Sequence, residues 1–144
     1  MPNSENPKRG SDFERIAQSF FASQGIELKR GFEVLVGWGE RKKPHRFDLG
    51  SNRPAVLVEC KLHTWTEGGN SPSAKLSVWN EAVLYFLAAP PEYHKVLFVL
   101  KSINNGVSLG QHYAKRFSHL VPEGLEIWEF SPESNSATRV ALDD

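Results

Sequence analysis

The chain has 144 residues, 40% hydrophobic and 24% charged, with 17 Lys plus Arg balanced by 17 Asp plus Glu, the profile of one soluble globular domain with room for a real core. It holds no apolar run near the 18 or so residues of a membrane span, and its start, MPNSENPKRG, lacks the apolar stretch of a secretion signal, so a cytoplasmic protein with no membrane partner is expected. A single cysteine, Cys60, excludes an internal disulfide framework and any Cys-rich zinc site.

Residues 1–10 are polar, with two prolines and a glycine, and read as a disordered leader. Phe13, Ile16, Ala17, Phe20 and Phe21 fall on one stripe at helical spacing, which predicts a first helix from Ser11 to a stop at Gly25. Residues 32–38 (FEVLVGW) predict a strand, GERKKP a turn, and residues 45–50 (HRFDLG) a second strand. Residues 55–62 (AVLVECKL) predict a third strand, apolar enough to be buried on both faces. After the loop 63–73 (HTWTEGGNSPS), residues 75–89 predict a helix that Pro90-Pro91 ends. A strand over 95–101, a helix over 108–120 and a strand over 125–130 complete the order αβββαβαβ. That order predicts an α/β fold, one domain over 11–130 with a mixed central β-sheet flanked by helices, and residues 131–144 read as a frayed acidic tail.

The chemistry lies on the second and third strands. Alternation places Leu57, Glu59 and Lys61 on one face and Val56, Val58, Cys60 and Leu62 on the other. Phe47 and Leu49 are expected to share a face, which leaves Asp48 opposite, where it can meet Glu59. Burying such ions costs several kcal/mol each, so an aligned Asp, Glu and Lys need an offsetting partner. A divalent metal supplies one: Mg²⁺ prefers a few carboxylate oxygens and keeps several waters. Asp48 and Glu59 would provide the carboxylates, the Cys60 backbone carbonyl a neutral ligand, and Lys61 the group that orients an attacking water and answers charge on a phosphate.

With FDLG at 47–50, ten residues between Asp48 and the Glu59-Cys60-Lys61 triplet, and a βββ meander between two helices, residues 11–101 resemble the PD-(D/E)XK, or restriction-endonuclease-like, nucleases. The resemblance implies a metal-dependent endonuclease using Mg²⁺, with Mn²⁺ as a substitute, and DNA as partner. It makes Asp48 and Glu59 the metal carboxylates, Lys61 the catalytic lysine and Glu14 the acid many members carry on the first helix. Phe47 stands where the family name has proline.

Simpler readings compete. Asp48, Glu59 and Lys61 could form a cross-strand salt bridge. Ser11 and Glu14 are spaced as a capping box. Residues 121–144 hold six acids against Arg139 alone, so residues 1–120 carry a balance of +5, and phosphate attraction follows that local field. Arg41, Lys42, Lys43 and Arg46 crowd the turn before Asp48 and could track a phosphate backbone, as could Lys75, although solvated charge explains them too. His112, Lys115, Arg116 and His119 share a helix side, and Asn80 and Glu81 read as solvated. Trp38, Trp79 and Trp128 read as core aromatics, and Trp65 as a core plug or a base-stacking group. So small a domain points to a homodimer or a larger protein partner for target recognition. The alternatives to a DNA nuclease are a nuclease acting on RNA and a non-catalytic nucleic-acid-binding or assembly module of the same fold.

Overall fold

The computed structural model describes residues 6–70 and 72–142. Its elements run α1 (Asn6–Ser23), β1 (Lys29–Trp38), β2 (Arg41–Asn52), β3 (Ala55–Lys61), α2 (Ser73–Ala88), β4 (His94–Leu100), β5 (Ile103–Asn104), β6 (Val107–Ser108), α3 (Leu109–Phe117), a 3-10 turn (Ser118–Leu120), β7 (Leu125–Ser131) and β8 (Ser136–Arg139). One six-stranded sheet has the order β1-β2-β3-β4-β7-β8, and β5 with β6 forms a separate small hairpin. The first three strands are an antiparallel meander, β3, β4 and β7 are parallel, and β8 returns antiparallel to β7. The sheet is therefore mixed, as the element order suggests.

Helices α2 and α3 are the crossovers of the two parallel steps, which move the same way across the sheet, so both pack on one face. There Trp79, Phe86 and Tyr113 bury against Phe47, Leu57, Leu97 and Ile127. Helix α1 covers the other face, where Phe13, Ala17 and Phe21 meet Leu49, Val58 and Phe98. Strand β3 runs between the two cores, with Leu57 in one and Val58 in the other, the double burial that its apolar run indicates. No helix among the described residues is long and apolar enough to cross a membrane.

Several expectations need correction. Helix α1 starts at Asn6, inside the stretch read as a disordered leader, because a proline such as Pro7 fits a first helical turn; residues 1–5 lie outside the described residues. Ser11 and Glu14 are thus inside the helix and make no capping box. The supposed tail contributes β8, a polar edge strand held by backbone pairing to β7, with Val140 buried beyond it; Asp143 and Asp144 lie outside the described residues. Trp79 is a core residue, but Trp38 is 58% exposed at the end of the β1–β2 hairpin.

Candidate active site

The site forms where β2 and β3 stop pairing. Their ladder runs from Asn52 opposite Ala55 to Leu49 opposite Val58 and ends there. Beyond that point carboxylates replace carbonyls. The Asp48 N–H donates to Glu59 Oε1 at 2.9 Å, and the Cys60 N–H donates to Asp48 Oδ2 at 2.8 Å. On the other side of β2, Arg30 pairs with Leu49 and Phe32 with Phe47, which leaves Gly31 and Asp48 between them. Gly31 has φ of +63°, a backbone state that favours glycine, and a Cβ there would come within 2.5 Å of the Arg46 guanidinium. Phe47 and Leu49 enter opposite cores, not one, which corrects the simple alternation expected.

Burial dominates the electrostatics of the pair. Glu59 is only 8% exposed and Asp48 is half-buried. Burial raises the Asp48 pKa to about 6; the Cys60 N–H pulls it down, Glu14 pushes it up and Lys61 pulls it down. Burial raises Glu59 to about 7, helped by the Asp48 charge and opposed by the Asp48 N–H and by Lys61. The ion pairs among the described residues are Arg30 with Glu14, and His94 and Arg139 with Glu126. None involves Asp48, Glu59 or Lys61, so the cross-strand salt bridge is not made.

Glu14 reaches the site from α1. Its Oε1 lies 3.0 Å from Arg30 Nη2, which also donates to Ser11 Oγ at 2.7 Å. Arg30 thereby steers Glu14 toward the sheet, close enough to Asp48 to raise its pKa. Cys60 packs against the α1-side core, and burial pushes its thiol pKa well up.

On the α2 side stand residues the sequence reading assigned no role in the site. His45 stacks on Tyr85, with ring centroids 3.7 Å apart, and burial lowers its pKa while Glu81 raises it and Lys61 lowers it. His63 accepts a hydrogen bond from Trp79 Nε1 at 2.8 Å. The signal for both was weak in sequence, since a histidine beside a strand usually means nothing. Asn80, read as solvated, accepts from the Tyr113 hydroxyl at 2.7 Å and ties α2 to α3.

The structure brings Glu14, Asp48, Glu59, Cys60 and Lys61 together, with Arg46 two residues from Asp48. Arg41, Lys42 and Lys43 are exposed near the hairpin end, and Arg41 stands seven residues, or about 23 Å of strand, from Asp48. Lys75 is exposed in the first turn of α2. Trp65 is held: its backbone and indole N–H groups donate to Ser102, and its ring packs on His112. Arg116 lies over the Phe117 ring, and Lys115 and His119 are exposed.

Among the described residues no three His, Cys, Asp or Glu side chains gather as a complete metal cage. The donor set still suits Mg²⁺, which takes hard oxygens and keeps waters: the buried Glu59 and half-buried Asp48 carboxylates each spend one oxygen on a backbone N–H. Set against protein-family models, curated proteins and solved structures, the chain matches none of them. Fold and site together define an α/β domain whose mixed sheet opens between two strands around a buried and a half-buried carboxylate that have no ion pair among the described residues.

Proposed function

We propose that the chain is a restriction-endonuclease-like, Mg²⁺-dependent nuclease that hydrolyses phosphodiester bonds of DNA in the cytoplasm. One observation carries this reading: Glu59 is buried and Asp48 half-buried, both anchored by backbone N–H groups, yet among the described residues neither forms an ion pair, and Lys61 beside them forms none either. A fold that used these charges for stability would pair them.

Asp48 and Glu59, with the Cys60 carbonyl, would hold Mg²⁺ or its substitute Mn²⁺, and the bound ion would supply Lewis acidity and neutralise developing charge. The chain's own groups do the rest. The backbone N–H bonds fix both carboxylates without using up their second oxygens. Lys61, the first residue on the Glu59 face after Glu59, holds a water for attack and faces the charge that grows on the phosphate. Glu14, held by Arg30, adds negative charge beside Asp48 and favours retention of a cation. Arg41, Lys42, Lys43 and Arg46 line the hairpin as a cationic track for phosphates, and a second copy or a larger partner completes recognition of the target.

The test is cleavage of supercoiled plasmid in Mg²⁺ or Mn²⁺ by the parent, D48A, E59A and K61A. Nicking or linearisation by the parent and loss in all three variants is expected. Equal cutting by parent and variants would sink the mechanism, and DNA binding without cutting under every divalent ion would make the chain a non-catalytic module.

A further inference from the structure

The loop leaving β3 holds a histidine in a fixed state. Trp79 is fully buried on α2, and a buried indole N–H needs an acceptor. It finds one in His63 Nδ1 at 2.8 Å. The indole nitrogen can only donate, so Nδ1 is the unprotonated nitrogen of His63 and the neutral ring carries its hydrogen on Nε2. The two rings lie at 28° with centroids 6.4 Å apart, which orients the imidazole as well as setting its tautomer. Among the described residues Nε2 has no protein partner, and it is not one of the sealed, unpartnered atoms, which are Arg30 Nε and His112 Nε2. It therefore presents an N–H to solvent.

Two ammonium groups stand beside it. Lys61 lies two residues before His63, and Lys75 lies one helical turn before Trp79 on the same side of α2, the side whose indole holds His63. Burial lowers the His63 pKa first, and the charges of Lys61 and Lys75 lower it further. Neither lysine has an ion pair among the described residues. The first turn of α2, which carries Lys75, has no acidic residue and no side-chain cap, so the positive end of that helix is not neutralised locally. Two mobile point charges and one fixed neutral donor suit an oxyanion with several oxygens, and lysine is a common point-charge partner of phosphate.

We propose that Lys61, His63 and Lys75 form an anion subsite that takes a phosphate of the substrate backbone, with His63 Nε2–H as its fixed donor and Trp79 as the residue that positions it. The identity of the anion as a nucleic-acid phosphate rests on the nuclease reading; the subsite itself rests on the Trp79–His63 bond and the unpaired lysines.

Long-range ¹H–¹⁵N spectra of the full chain read the histidine tautomers while inorganic phosphate, then a short DNA duplex, is added in EDTA, so that no cleavage enters. The Nε2–H tautomer is expected for His63, with its Nε2 signal moved by phosphate and by duplex. H63A should weaken duplex binding about tenfold, the scale of one hydrogen bond to a charged group. H63Q, whose amide can donate from a similar position, should recover most of that loss, and K75A should lower the salt dependence of binding by about one counterion. W79F, which removes the indole donor, should give a mixture of tautomers; an unchanged tautomer overturns the positioning role. An Nδ1–H tautomer in the parent, or parent-like duplex affinity in folded H63A and K75A, overturns the subsite. Signals moved by free phosphate and not by duplex overturn its assignment to backbone phosphate. The nuclease reading fails separately: if D48A still cuts DNA while His63 responds to duplex, the subsite stands and the hydrolytic reading falls.

Discussion

Two regions of the same sheet hold their acids in opposite ways. On β7, Glu126 accepts from Trp128 Nε1 at 2.9 Å and pairs with His94 at 3.3 Å and Arg139 at 3.2 Å. Burial pushes its pKa up, but those three partners outweigh burial and hold it below the usual value. Its neighbour Glu129 is 4% exposed and receives the Gly110 N–H at 3.0 Å, at the positive end of α3. On β2 and β3, the Asp48 and Glu59 carboxylates accept strand N–H groups with no helix end and, among the described residues, no ion pair to answer them, and their pKa values end high, at about 6 and about 7. Acids whose charge is answered inside the fold are structural. Acids whose charge is left over are the ones that the proposed function assigns to a cation from outside, and that contrast is what the following experiments press on.

The largest effect should be on cleavage. D48A, E59A and K61A should each lower the Mg²⁺-dependent rate by about 10³-fold, the upper scale for losing one electrostatic stabiliser, while E126A stays within about threefold. Comparable losses in E126A would erase the distinction. Next comes the β7 side: a Cβ at Gly110 would sit 2.5 Å from Glu129 Oε2, so G110A should cost about 2 kcal/mol in denaturant unfolding.

The pH response of the metal-free protein should follow the β2–β3 pair. Their folded pKa values lie above the ordinary carboxylate values, so the native state binds more protons than the unfolded chain between about pH 4 and pH 7. The stability they contribute is full below that range and lost as pH rises through about 6 and 7. Unfolding free energy without metal should therefore fall by up to about 4 kcal/mol from pH 5 to pH 8. D48N and E59Q, which keep an acceptor oxygen and drop the charge, should raise stability at pH 8 by about 1 kcal/mol, whereas E126Q should lower it. A flat pH profile in the parent would mean that the charges are already compensated. The smallest effect belongs to the hairpin, where K42A and K43A should each weaken DNA binding a few-fold and reduce its salt slope by about one.

Much of this contrast was legible in the sequence, because an ion in an apolar strand stands out: Glu59 and Lys61 follow Ala55 to Val58, and Asp48 precedes them at the spacing of a meander. The opposite burial of Leu57 and Val58 was legible for the same reason. What could not be read was geometry set by distant partners. The break in alternation between Phe47 and Leu49 has no signal in the local pattern, and Glu14 depends on Arg30, sixteen residues away. β8 escaped notice because Ser136–Arg139 has no apolar pattern; backbone pairing and the Arg139–Glu126 contact hold it. The Trp79–His63 bond joins a helix to a loop, and local periodicity is silent about it.

The central claim, that Asp48 and Glu59 are left without an internal counter-ion and take up a divalent cation, is tested most directly by titration calorimetry with Mn²⁺ at pH 7.5 on the parent, E59Q and E126Q. Binding by the parent and by E126Q, with loss in E59Q, is the expected result. Identical heats in all three proteins, or no binding by the parent up to millimolar Mn²⁺, would contradict it.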